Sequence, residues 1–224
     1  CAIERMARAD PGLPASEEAR SRARIEAEAL EMRAEMVREA MADPARGNAI
    51  GIPHRVRSLT HAVDCLRRAA EARRRGSELG RAAQALDRAL EILVEASADD
   101  GSSGTAERET AKAVERVILN ARMRIAESVG DTTLSADLAT RRMVGETDGA
   151  IVASLAMRVA EHAASEGDLE RALEALTLAT ERDPASAPAR ALKIDILDAG
   201  ADPARLAIEL EELSRQCGTT EARG

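Results

Sequence analysis

ASLAMRVAEHAASEGDLERALEALTLATERDP, residues 153–184, holds two apolar-striped stretches on either side of Gly167-Asp168 and stops at Asp183-Pro184. Its composition is that of the whole chain in miniature. Ala, Leu, Glu and Arg, all good helix formers, dominate it, whereas strands favour aromatic and β-branched residues. The 224 residues include no Phe, Trp or Tyr, so Ala, Leu, Ile, Val and Met must fill the interior. Aromatic side chains supply much of the buried area in most cores; without them, helices have to approach closely through alanine and gain stability from many small contacts. An all-α fold of antiparallel helix hairpins with thin, Ala-lined interfaces is predicted, and the length suffices for one large or two small domains.

The stretch resembles a tetratricopeptide repeat, a helix-turn-helix unit of roughly 34 residues whose small side chains let the paired helices nestle together. On that resemblance Gly167 and Asp168 occupy the turn and Leu169 the next apolar site. Ala172 and Ala179 take the small packing positions, and Asp183-Pro184 ends the unit. Ala156, Ala163 and Leu176 stand where the family commonly carries aromatics. The resemblance implies an irregular helical bundle followed by an α-solenoid segment. It also implies peptide-facing positions at Ser154, Met157 and Glu161. These lack the basic and amide residues of the carboxylate-clamp subgroup, so a peptide held there is not expected to be read by that clamp. Leu79, Arg81, Ala82, Ala85, Leu86 and Ala89 echo Leu169, Arg171, Ala172, Ala175, Leu176 and Ala179 at an offset of 90 residues, which is no multiple of the repeat length.

Upstream, Ser16 followed by Glu17 and Glu18 reads as a cap and acidic first turn. The long helix it opens ends at Asp43-Pro44 and Gly47. Two stripes run along it, one of Ala23, Ala27, Leu30, Ala34, Val37 and Met41, the other of Ile25, Ala29, Met32 and Met36, so it is expected to pack on two sides. Pro53 suits the first turn of a second helix, with Val56, Leu59, Val63, Leu66 and Ala70 on one face. Ser77 reads as the cap of a third, which buries Leu79, Ala82, Leu86, Ala89, Leu90 and Leu93. Residues 99–104, DDGSSG, read as a linker between an N-terminal helical region over 1–98 and a C-terminal region over 105–218 that contains the hairpin 153–184; a tail follows over 219–224. The second region also carries a helix from Thr105 to Gly130, a shorter one over 134–144, another over 187–199, and a last one from Asp202-Pro203 to Gly218.

A net charge of −8 disfavours nucleic acid, and the missing aromatics remove base stacking. Cys1, Cys65 and Cys217 form no disulfide framework, and a cytoplasmic setting is the simpler reading. The alternative is a bacterial envelope protein lipid-anchored through Cys1. No stretch approaches the roughly 20 apolar residues a membrane-spanning helix needs.

His54, His61 and Cys65 share one helix face, predicted to point away from the core; the two histidines lie about 10.5 Å apart along the axis, too far for one metal ion. His162 beside Glu161 lacks a positioned nucleophile. The arginines at 67, 68, 73, 74 and 75 are expected to pair with Glu26, Glu28, Glu31, Glu35 and Glu39 of the first helix or to lie solvated. With no catalytic or phosphate-binding motif, neither cofactor nor metal is expected. The expected function is a non-enzymatic helical-repeat module that binds a protein or peptide, or a second copy of itself. Because similar helix pairs form the oligomerising region of alkyl-sulfatase-type hydrolases, a dimerisation region of a larger enzyme is the runner-up.

Overall fold

A computed structural model describes residues 16–42, 52–98, 105–200 and 202–221; Cys1 and the linker at 99–104 lie outside them. Among the described residues there are nine helices and no strand. They are α1 (Glu17–Ala42), α2 (Ile52–Arg75), α3 (Leu79–Ala98), α4 (Thr105–Val129), α5 (Thr132–Met143), α6 (Gly149–Ser165), α7 (Leu169–Arg182), α8 (Ala187–Ala199) and α9 (Pro203–Glu221). Contacts divide the chain between Ile125 and Ala126, inside α4, rather than at 99–104. One charged pair lies on either side of that point. Arg122 Nε donates to Asp87 of α3 at 2.8 Å, tying most of α4 to the first unit, while Glu127, a turn further on, pairs with Arg158 of α6 in the second.

In the first unit α2 lies between α1 and α3 and is buried on two faces. Ala62, Val63, Cys65, Leu66, Ala69, Ala70 and Ala72 all leave solvent. This corrects two expectations. Cys65 faces inward at 2% exposure rather than away from the core, and burial pushes its thiol above the ordinary range. The side chain of His54 lies outside the described residues. Conversely, among the described residues α1 packs on one side only, through Ala23, Ala27 and Ala34, with Ala27 set against Ala69 and Ala72. Its other stripe is left in solvent, with Ile25 at 62%, Met32 at 65% and Met36 at 57% exposure. Alanine faces permit the closest helix approach, so the smaller stripe takes the contact.

The arginine cluster pairs largely as expected. Arg73, 3% exposed, donates to both carboxylate oxygens of Glu31 at 3.1 and 2.9 Å and also to Glu78, which fixes α1, α2 and the following turn together. Arg75 reaches Glu26 at 3.0 Å. Arg67 and Arg74 bond Asp64 and Glu71 on their own helix.

One turn recurs at three places. After α6, Asp168 N donates to Ala163 O at 2.9 Å and Gly167 N to Ala164 O at 3.1 Å, with Gly167 at φ +80°; Asp168 then accepts from Arg171 N and starts α7. After α4, Gly130 at φ +76° and Asp131 repeat these bonds to Glu127 and Ala126. After α2, the left-handed position is held by Ser77 at φ 62°, while Glu78 N donates to Arg73 O at 2.9 Å. Ser77 therefore ends α2 instead of capping α3. The offset echo acquires meaning here: each stretch is the second helix of its hairpin, with Ala82, Leu86 and Ala89 buried in α3 as Ala172, Leu176 and Ala179 are in α7. Left-handed backbone costs an L residue roughly 1–2 kcal/mol, partly offset in glycine by its unfolded-state entropy. Ser77→Gly is accordingly expected to raise stability by about 0.5–1 kcal/mol, measured as a higher urea midpoint by circular dichroism.

In the second unit α6 and α7 meet along Ala153, Ala156, Ala160, Ala163, Ala172, Leu176 and Ala179, joined by Ala189 and Ile196 of α8. The positions where aromatics were missing, Ala156, Ala163 and Leu176, are closed at 1% exposure or less. Helix α9 passes Gly218 and runs to Glu221, so its last turn takes up part of the expected tail.

Between α5 and α6, Glu146 Oε1 accepts from Thr147 N at 2.9 Å and Asp148 N at 3.1 Å, and Oε2 lies 2.6 Å from buried Arg142 Nη1. The Asp148 N–H, then the Arg142 guanidinium, hold the Glu146 carboxyl at about 2, well below its usual 4.5. A carboxyl depressed on folding stabilises fully above its unfolded value and loses that contribution as pH falls through the folded one. Glu146 therefore supports the second unit above pH 4.5 and ceases to by about pH 2. In urea titrations across this interval the wild type should lose stability more steeply than Glu146→Gln; parallel profiles would contradict the assignment.

Candidate protein-binding cleft

The exposed face of α6 forms one wall of a cleft of about 700 Å³ within the second unit, with the start of α8 at its other side. Helical spacing puts Ser154, Met157 and Glu161 at successive turns of that face, and all three line the cleft. The sequence-derived positions are thus brought together. Met157 is half-buried and rests on the alanine core of α6 and α7, while Ser154 and Glu161 are exposed.

Arg158 and Ser186, which the sequence did not single out, complete it together with Asp183 and His162. Arg158 sits one position beyond Met157 and is neutralised by Glu127. At the far side Asp183 Oδ1 accepts from Ala185 N at 3.1 Å, and buried Arg190 donates to Pro184 O at 3.2 Å, which sets the corner from α7 into α8. Ser186 begins α8 with no capping hydrogen bond from its hydroxyl. Its role had no sequence signal, because it depends on how α8 returns to α6. His162 also lines the cleft, with a buried Nδ1 that has no hydrogen-bond partner. Ser165 Oγ donates to the His162 carbonyl at 2.7 Å, so that hydroxyl is committed to the helix end.

Charge in the cleft is unbalanced. Glu127, Glu161 and Asp183 face one guanidinium, that of Arg158. Glu127 answers Arg158 and Asp183 is engaged with backbone, while Glu161 has no ion pair among the described residues. Behind this wall Ala172 and Ala179 are buried in the core of α6 and α7, Gly167 and Asp168 form the turn of that hairpin, and Pro184 follows it at the corner into α8. A second cavity of about 500 Å³ between α7, α8 and α9 is lined by Glu170, Glu209, Lys193 and Arg205 among others. There Lys193 pairs with Glu209 and Arg205 with Glu170. Among the described residues no cluster of three His, Cys, Asp or Glu is placed to hold a metal ion, and no helix is long and apolar enough to cross a membrane.

The described residues thus define an all-α chain of helix hairpins with a cleft along one hairpin's outer face. No protein-family model and no curated protein matches the chain. Among solved structures it is similar to BtubC (BKLC) from P. vanneervenii, at 13% identity over 89% of this chain and 92% of that one, with a TM-score of 0.40. A likeness of that size carries no argument about what this chain does.

Proposed function

We propose that this is a non-enzymatic helical-repeat module of the tetratricopeptide type, which holds an extended segment of another protein in the α6 cleft through a cationic side chain set against Glu161. The observation that carries the reading is the convergence of Ser154, Met157 and Glu161 on one cleft of about 700 Å³. An apolar floor with one free charge at its rim suits a segment bearing an Arg or Lys next to an apolar residue. The repeat reading is supported by spacing: Asp168 and Asp202, 34 residues apart, each cap a second helix by accepting from the N–H three residues on. A buried, unpaired Cys65 is compatible with a reducing, cytoplasmic setting.

A panel of short immobilised peptides differing only in charge tests the reading. Retention should favour basic peptides and switch to acidic ones with Glu161→Lys. Met157→Asp should weaken retention by roughly tenfold, because a carboxylate then replaces the apolar floor. Glu174→Lys, on the other side of the hairpin, should change nothing. An unaltered peptide preference in Glu161→Lys would remove the proposal.

A further inference from the structure

We infer that the exposed stripe of α1 is the seam of an antiparallel homodimer, a second copy of this chain lying against it with the same stripe. The stripe is Ile25, Ala29, Met32 and Met36, spaced four, three and four residues apart, as a two-helix seam repeating every 3.5 residues requires. Among the described residues it is the largest apolar line that the first unit leaves uncovered, and it lies opposite the alanine face that holds α1 to α2.

Size and charge choose both the occupant and its direction. With the two helices antiparallel, Ile25 meets Met36 of the second copy and Ala29 meets Met32, so a small side chain faces a large flexible one in the central layers. With the helices parallel, Ala29 would face Ala29 and leave a gap. The seam is bounded by Arg22 at one end and Glu39 at the other, and only the antiparallel arrangement sets these opposite charges together, twice by symmetry. Along one flank it also brings Arg33 beside Glu26 of the second copy. Arg33 and Glu39 have no ion pair within the chain among the described residues, whereas Arg22 bonds Glu18 and Glu26 bonds Arg75 at the surface. The other flank sets Glu28 near Glu35, a like-charge pair softened by Arg38, which bonds Glu35 at 2.6 Å and holds its carboxyl below the usual range. A parallel pair would instead place Arg22 on Arg22 and Glu39 on Glu39. Opposed macrodipoles favour the same direction.

The test is sedimentation equilibrium on the full chain together with disulfide trapping in a Cys1→Ser, Cys217→Ser background. The unsubstituted chain is expected to be dimeric. Met32→Glu should raise the dissociation constant by roughly a hundredfold, because its carboxylates would be buried unpaired, while leaving the helical circular dichroism and melting of the monomer unchanged. Mixing Ile25→Cys with Met36→Cys should give a cross-linked heterodimer, and Ile25→Cys alone should not. A monomeric chain, a dimer indifferent to Met32→Glu, or a self-linked Ile25→Cys dimer would each overturn the inference.

Discussion

Leu176→Ala is expected to cost the second unit about 3–4 kcal/mol, in the middle of the range for a fully buried leucine. The physical reason lies in what surrounds it. Apart from Leu176 and Ile196, every buried member of the α6, α7 and α8 core is alanine, and Leu176 is at 0% exposure. The buried alanines cannot extend into the void, and the longer chains packed against the core, Met157 and Leu173 among them, sit half-buried at its margin, so the site collapses only in part and much of the cavity term is retained. Urea unfolding followed by circular dichroism at the helical band checks this, since a chain without Trp or Tyr offers no useful intrinsic fluorescence. The midpoint should fall with little change in slope. Ile196→Val, which removes one methyl from the same core, should cost only about 1 kcal/mol. Equal losses in the two variants would mean that the core is loosely packed.

Gly149→Ala is the second large effect, with an expected cost of about 2–3 kcal/mol. A Cβ at residue 149 would fall inside the van der Waals envelope of the Arg182 carbonyl oxygen and 3.3 Å from its carbon, so backbone at the start of α6 and the end of α7 would have to part. The opening should also loosen Asp183 and Ser186 at the cleft's far wall and weaken peptide retention. Gly167→Ala makes the informative comparison. Its Cβ would meet nothing within 4 Å, so only the left-handed backbone is penalised, by about 0.5–1 kcal/mol net of glycine's unfolded-state entropy. If Gly167→Ala proves the more damaging of the two, the close approach at Gly149 is not a constraint in solution.

These two glycines show how far the sequence could be read. Gly167 is followed by Asp, and a left-handed residue that ends one helix before an aspartate that caps the next is a local device; its signature is therefore local. Gly149 carries no such local signature. Its real neighbour is Arg182, 33 residues on, and no local pattern reports a contact of that kind. The cleft divides in the same way. Ser154, Met157 and Glu161 follow from helical spacing on a single element, whereas Ser186 and Asp183 reach it only because α8 turns back along α6. Gly218 misled for a related reason: glycine inside a helix costs only about 1 kcal/mol, and α9 continues through it.

Helix content, the places of most turns and the alanine stripes were set by the sequence alone, because helix propensity, capping and i to i+4 spacing act within a few residues. Which helix would be central was decided by the tertiary structure. Two apolar stripes on α1 suggested a helix packed on both sides, and one on α2 suggested a helix packed on one. The reverse occurs. The alanine stripe of α1 allows the closest approach to α2, the Arg73 ion pair with Glu31 holds it there, and α3 covers the opposite side of α2, which draws Cys65 inward and leaves Ile25, Met32 and Met36 uncovered by the described residues. An amphipathic pattern states that a face is fit for burial. Only competition among all the faces for a limited set of partners settles which of them is buried.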